Sequence, residues 1–169
     1  MGYRGSAMRL KIAGVLILAV LAPVVLGAQS TTPGPPAPKD KAMDMPRQLL
    51  ESVAREIAAK GQITQRVLEG GTFSVNVRHI AGAETALQHG KIAEVWVVRE
   101  GTGIVATGGS LVDQQPGAAA GEFRGSGIRG GTERTITAGD LVYIPPGVPH
   151  GIKQSTGITY LNIRFEISN

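Results

Sequence analysis

The sequence predicts an all-β domain, a sandwich or closed barrel of short strands, preceded by one α-helix. Three observations predict it. Glycine (24) and proline (10) make up about a fifth of the 169 residues, with Gly near twice its usual ~7% share. At ~1 kcal/mol per interior glycine against alanine, a helical bundle would not tolerate that load. After Gly61 the apolar residues recur at every second position, in β-branched runs separated by Gly, Pro or Asp, as in half-buried strands. No pattern of helical length interrupts them, which excludes a parallel α/β sheet.

Taken in order, residues 1–28 read as a signal peptide. Met1 to Lys11 is polar and basic, Ile12 to Leu26 is an apolar run of 15 residues, and Gly27, Ala28 and Ser30 are small. That is the order of an export signal. The run is short against the ~20 residues that span a bilayer. Cleavage is expected after Ala28 or Ser30, leaving the chain periplasmic or extracellular. An uncleaved anchor is the alternative, and the only membrane contact expected. Residues 29–45 read as a disordered Pro-rich linker, with four prolines between Pro33 and Pro38 favouring an extended tether.

Residues 46–61 read as an amphipathic helix. Asp44 is placed to cap it, Pro46 suits the first turn, and Gly61 stops it. Leu49, Leu50, Val53, Ala54, Ile57 and Ala58 form its apolar stripe, to be packed on the main domain or used in a dimer. Residues 62–169 then form the β-domain. Strands are expected near 63–69, 72–80, 84–89, 93–99, 102–108, 126–130, 133–137, 141–145, 149–154 and 157–167. The polar, Gly/Ala-rich stretch 114–125 is expected to be a flexible loop.

Several function classes drop out. The absence of cysteine excludes disulfides, thiolate metal sites and a Cys nucleophile. The formal charge is +4, but Arg4, Arg9 and Lys11 all precede residue 29, and the remainder is nearly balanced. With one Trp and three Phe, neither a basic surface nor an aromatic platform for nucleic acid is indicated. Gly125-Ser-Gly127-Ile-Arg-Gly130 matches the dinucleotide pattern, but a β-rich segment follows where a helix is required.

The residues that carry chemistry are His89, Glu94 and His150. Imidazole and carboxylate are ligand types for Fe, Mn, Zn or Ni. His89 and Glu94 flank a turn containing Gly90. Pro145-Pro146-Gly147 forces a second turn with His150 just beyond it. Three ligands from strand ends can therefore converge on one ion inside a barrel.

These residues resemble the cupin superfamily, whose motifs are G(x)5HxH(x)3–4E(x)6G and G(x)5PxG(x)2H(x)3N. The second is matched at Gly139, Pro145, Gly147 and His150, and departs at Gln154. The first is matched at His89, Glu94 and Gly101; its opening Gly is displaced to Gly82, and Leu87 stands at its first His. The resemblance covers roughly residues 72 to 166. It implies a double-stranded β-helix (a jelly-roll barrel), a metal site and pairing into homodimers.

Leu87 removes one usual ligand, and Gln88 points to the other face. What remains is a two-His, one-carboxylate set, or else a metal-free polar pocket. Trp96 shares the face of Glu94 and is expected to wall the pocket, together with Leu87 and Tyr143. On the last strand Leu161, Ile163 and Phe165 are the natural inward set, which leaves Arg164 outside; the opposite facing would make Arg164 a pocket residue. His79 reads as a core or rim residue. Two functions stay open: a metal-dependent oxygenase, isomerase or lyase acting on a small organic molecule, and a non-catalytic small-molecule binding or sensory module.

Overall fold

The computed structural model describes residues 1–2 and 33–167; the expected signal segment therefore lies almost wholly outside the described residues. The elements are α1 (Arg47–Ala59), β1 (Thr64–Glu69), β2 (Phe73–Ala81), β3 (Ala86–His89), β4 (Ile92–Thr107), β5 (Ser110–Val112), β6 (Gln115–Pro116), β7 (Glu122–Gly125), β8 (Gly127–Arg129), β9 (Thr132–Thr137), β10 (Leu141–Ile144) and β11 (His150–Glu166). Nine strands form one continuous hydrogen-bonded sheet, and β5 with β8 forms a separate two-stranded ribbon.

Two long strands create the barrel. The second half of β11 lies between β2 and the first half of β4, and β10 flanks β4 on its far side. The first half of β11 pairs with the second half of β4, which β9 flanks, and His150 meets Leu87 of β3. β4 and β11 thus each serve two half-sheets that face one another. Their shared corner is Gly101 opposite Ile158, next to Gly157. Gly101 has φ 76°, and a Cβ there would stand 1.8 Å from the Gly157 carbonyl oxygen, so any side chain is excluded at this crossing. Sequence reading splits each long strand in two close to these glycines, at 100–101 and 155–156.

The core lies between the half-sheets. Trp96, Val98, Val142, Ile158 and Tyr160 come from one, and Val105, Ile136 and Ile152 from the other. A second cluster lies outside the barrel, where Val53, Ala54 and Ile57 of α1 cover Val67 and Val77. The buried stripe is narrower than the sequence suggests, since Leu49 is exposed. Asp44 does not cap α1; Pro46 occupies the cap position with no side-chain hydrogen bond. The far end closes in a Schellman arrangement, with Gly61 N–H donating to Ala58 and Gln62 N–H to Ile57.

Two further expectations are corrected. Part of the 29–45 tether is docked: Ala37 N–H donates to Glu69 O, and Glu69 N–H to Pro35 O. Prolines suit this outermost edge because they present no N–H to a further strand. The stretch 114–125 is no loose loop either, since β7 within it pairs with β3 along Ala86–His89.

Candidate metal centre

Cross-strand register stacks the interior of the first half-sheet in rows. Ser74, Arg164, Glu94 and Ile144 form one row; Asn76, Asn162, Trp96 and Val142 the next; Arg78, Tyr160 and Val98 a third. Six of these eleven side chains are hydrogen-bonding polar or charged groups other than the aromatics, an unusual load for a barrel interior. Each therefore needs a partner. Arg78 pairs with Glu84 at 2.5 Å, and Glu84 also accepts from the Ile152 N–H. Burial disfavours the Arg78 charge, but Glu84 outweighs that and holds its pKa above the usual range. Burial is also the main cause that pushes the Tyr160 phenol well up.

His89 and His150 converge on Glu94 of the first row. They are all buried, and one ligand atom from each lies within 4.8 Å of the others. Local structure explains the convergence. His89 ends β3, Glu94 sits two residues into β4, and His150 opens β11. Gly147, at φ 79°, donates its N–H to the His89 carbonyl at 2.7 Å, so the Pro-Pro-Gly turn that aims His150 is tied to the strand that carries His89.

Both imidazoles are oriented through Nδ1. His150 Nδ1 lies 2.9 Å from the Val148 carbonyl oxygen, and His89 Nδ1 bonds the Glu122 carboxylate. Both partners are acceptors, so each Nδ1 carries the proton and each Nε2 offers a lone pair when the ring is neutral. His89 Nε2 is 3.1 Å from Glu94 Oε1, and His150 Nε2 is 3.5 Å from Glu94 Oε2. Trp96 Nε1 and Asn162 Nδ2 donate to Oε2 at 2.7 and 3.0 Å, which fixes the carboxylate plane. His150 Nε2 is buried with no hydrogen-bond partner.

This set fits a divalent cation. Ligand atoms about 2.1 Å from one ion stand roughly 3–3.5 Å apart, and each imidazole Nε2 lies at such a distance from a Glu94 oxygen, with all three ligand atoms within 4.8 Å of one another. An orphaned Nε2 beside a carboxylate is what a ligand position leaves when its ion is not counted, and Nδ1 contacts to a carboxylate and a carbonyl are the usual outer support of ligating histidines. Without the ion, charges adjust. Burial would raise the Glu94 carboxyl, but hydrogen bonds and charge from His150 and His89 prevail and hold it well below the ordinary carboxylate range. Burial would lower His89, but Glu122 and Glu94 prevail and raise it, against the opposing charge of Arg164.

Other expected pocket residues divide. Trp96 is fully buried against both Glu94 and His150, 5.8 Å from the latter ring. Leu87 is half-buried, paired across β3–β7 with Arg124. Tyr143 is not a pocket residue: it is 55% exposed, because its neighbours Val142 and Ile144 take the inward positions. Arg164 is inside, with Nε 3.0 Å from Glu94 Oε1. The expected facing of the last strand is reversed because α1 covers Leu161 on the outer side. Glu122 escaped sequence reading altogether. His79 lies outside the barrel, bonded to Thr159 at 3.0 Å. It lines an open groove of about 1000 Å³ between α1 and the sheet, which shares no residue with the His–Glu–His cluster.

The AraC-like ligand binding domain matches residues 128–169, the span from β8 onward that contains His150 and Arg164. No curated protein matches the chain. Among solved structures, a protein from Bacillus halodurans is 13% identical, with 78% of this chain and 85% of that one covered at a TM-score of 0.49. An uncharacterised Klebsiella pneumoniae protein with a double-stranded β-helix domain is 18% identical, with 62% and 76% covered at 0.45. A Neisseria meningitidis protein is 18% identical, with 66% and 94% covered at 0.43. These likenesses are distant, and the fold assignment rests on the strand pairing described above. The chain has the cupin-type double-stranded β-helix fold, and its final quarter resembles the AraC-like ligand binding domain.

Proposed function

We propose that this chain holds a divalent transition metal, with Fe, Mn, Zn and Ni as the candidates, through Nε2 of His89, the Glu94 carboxylate and Nε2 of His150, and binds a small organic molecule there. One observation carries the reading: both histidines have Nδ1 held by an acceptor, so both Nε2 atoms are directed at one buried carboxylate. When bound, the metal would supply Lewis acidity and open coordination positions. The chain's own contribution is orientation. Glu122 and the Val148 carbonyl set the imidazoles, Trp96 and Asn162 set Glu94, and the apolar wall of Ile144 and Val142 limits water. Oxygenase, isomerase or lyase chemistry and non-catalytic ligand sensing are all open to such a site.

Elemental analysis of purified, tag-free protein tests the reading. Near-stoichiometric metal supports it, and metal-free protein that takes up no added divalent ion overturns it. The rival is a metal-free polar pocket, favoured by Leu87 at a usual ligand position and by the cationic Arg164 beside Glu94.

We also propose export, on the basic start, apolar run and small residues of positions 1–30, and pairing of two copies. The second rests on β10, an edge strand whose Leu141 and Tyr143 are 63% and 55% exposed; bare apolar edges invite a partner strand.

A further inference from the structure

Arg164 is the residue the metal reading does not use. Its side chain is 18% exposed, so it lies mostly within the barrel. It is charge-paired with Glu94, but its Nε is buried and makes no hydrogen bond. Nη2 stands 3.4 Å from His89 Nδ1 and 3.5 Å from Nε2. That nitrogen therefore rests against the His89 ring, whose two nitrogens already point at Glu122 and Glu94. The guanidinium is thus held by charge and by contact with the ring, and its buried Nε–H makes no hydrogen bond among the described residues. Buried cations of this kind call for an anion with acceptor oxygens.

Charge leads to the same ligand. With neutral imidazoles, a divalent ion plus Arg164 exceeds Glu94 plus Glu122 by one positive charge. Glu94, once ligating a cation, is also a weaker partner for Arg164. We infer that the site's ligand is a small organic carboxylate, its carboxylate gripped by the Arg164 fork while an oxygen of the same molecule faces the metal. Arg164 lies 3.0 Å from the Glu94 oxygen that faces His89, so both anchors fall within the span of a two- or three-carbon acid. Arg164 and Glu122 are the partly exposed members of the group, at 18% and 22%, which marks the side from which the acid enters.

This inference rests on the metal reading, and the test separates the two. Co(II) is titrated into the purified chain, followed by glycolate or its neutral isostere glycolamide, and the visible cobalt bands are recorded. Glycolate should shift the bands saturably, and glycolamide should not at the same concentration. Arg164→Met should retain Co(II) and weaken glycolate by about 30-fold or more. Arg164→Lys, which keeps the charge but loses the fork, should weaken it about tenfold. If the Met variant does not fold by circular dichroism, the Lys variant decides. Equal binding of glycolamide, or wild-type glycolate binding in the folded variants, overturns the carboxylate inference alone. Failure of the wild type to take up Co(II) overturns the metal reading with it.

Discussion

The two faces of the second half of β11 differ in a way that hydrophobicity does not predict. Outward, Leu161 packs beneath α1 with Val77 and Ile57. Inward, Tyr160, Asn162 and Arg164 stand beside Glu94 and Trp96. In a small domain the interior is normally the apolar side. Here a helix shields the outer face, which frees the inner one to hold charge. The difference teaches that stability and site chemistry are assigned to opposite faces of one strand, and mutations should separate them.

The largest separation should come from His150→Ala. It removes a ligand atom from a three-residue set and should lower metal affinity by more than about 100-fold, seen as loss of metal in elemental analysis after dialysis. Thermal unfolding of the metal-free protein should move far less. Retention of stoichiometric metal in both His150→Ala and Glu94→Ala would place the site elsewhere.

Ile57→Ala should do the reverse. Ile57 is fully buried under the outer face, and emptying such a site costs about 2–5 kcal/mol. Urea unfolding should show that loss while metal stoichiometry stays at the wild-type level. Coupled loss of both would mean that the two faces are not independent.

Glu122→Ala should have a smaller, one-sided effect. The variant leaves all three ligands but frees His89 Nδ1, and loss of such outer support typically weakens metal 10- to 100-fold. Isothermal titration with Zn(II) reads it directly; unchanged affinity would reduce Glu122 to a surface acid.

The mildest perturbation is pH. A metal and a proton compete for His89 Nε2, and the His89 pKa is raised above an ordinary value near 6.5. Metal affinity should therefore fall on acidification starting above pH ~6.5, by up to about tenfold per unit for that one proton. In metal-free protein the stability contribution of His89 has the opposite sign. It is fully present below the ordinary pKa and is lost as pH rises through the raised one. Glu94, held low, contributes stability above the ordinary carboxylate pKa, lost as pH falls through its depressed value. Metal titrations between pH 5.5 and 8 that show no slope would contradict the His89 assignment.

The legibility of the sequence follows the same division. His89, Glu94 and His150 were readable because cupin spacing fixes them relative to turns, and those turns are local. Trp96 was readable because two residues along a strand return to the same face. Arg164 is not placed by alternation, which shows that two faces differ without showing which is inside; with α1 covering Leu161, both faces of β11 are protected. Tyr143 failed by the converse error, a polar aromatic set among apolar neighbours that took the core. Glu122 gave no signal at all. It begins a four-residue strand after a Gly/Ala-rich stretch, too short for any period to register, and its link to His89 spans 33 residues. Strand positions are legible outside the short β5, β6 and β7, whereas the continuity of β4 and β11 through Gly101 and Gly157 is not.

That continuity shapes how the molecule comes into being. β11 is paired with β2, β3 and β4, and among the described residues it is the last strand. Until its 17 residues are available, the two half-sheets share only β4, His150 is absent from the cluster, and the barrel has no closing seam. The nascent chain accordingly has few local contacts to fold around and must wait for distant ones, a topology associated with slow folding.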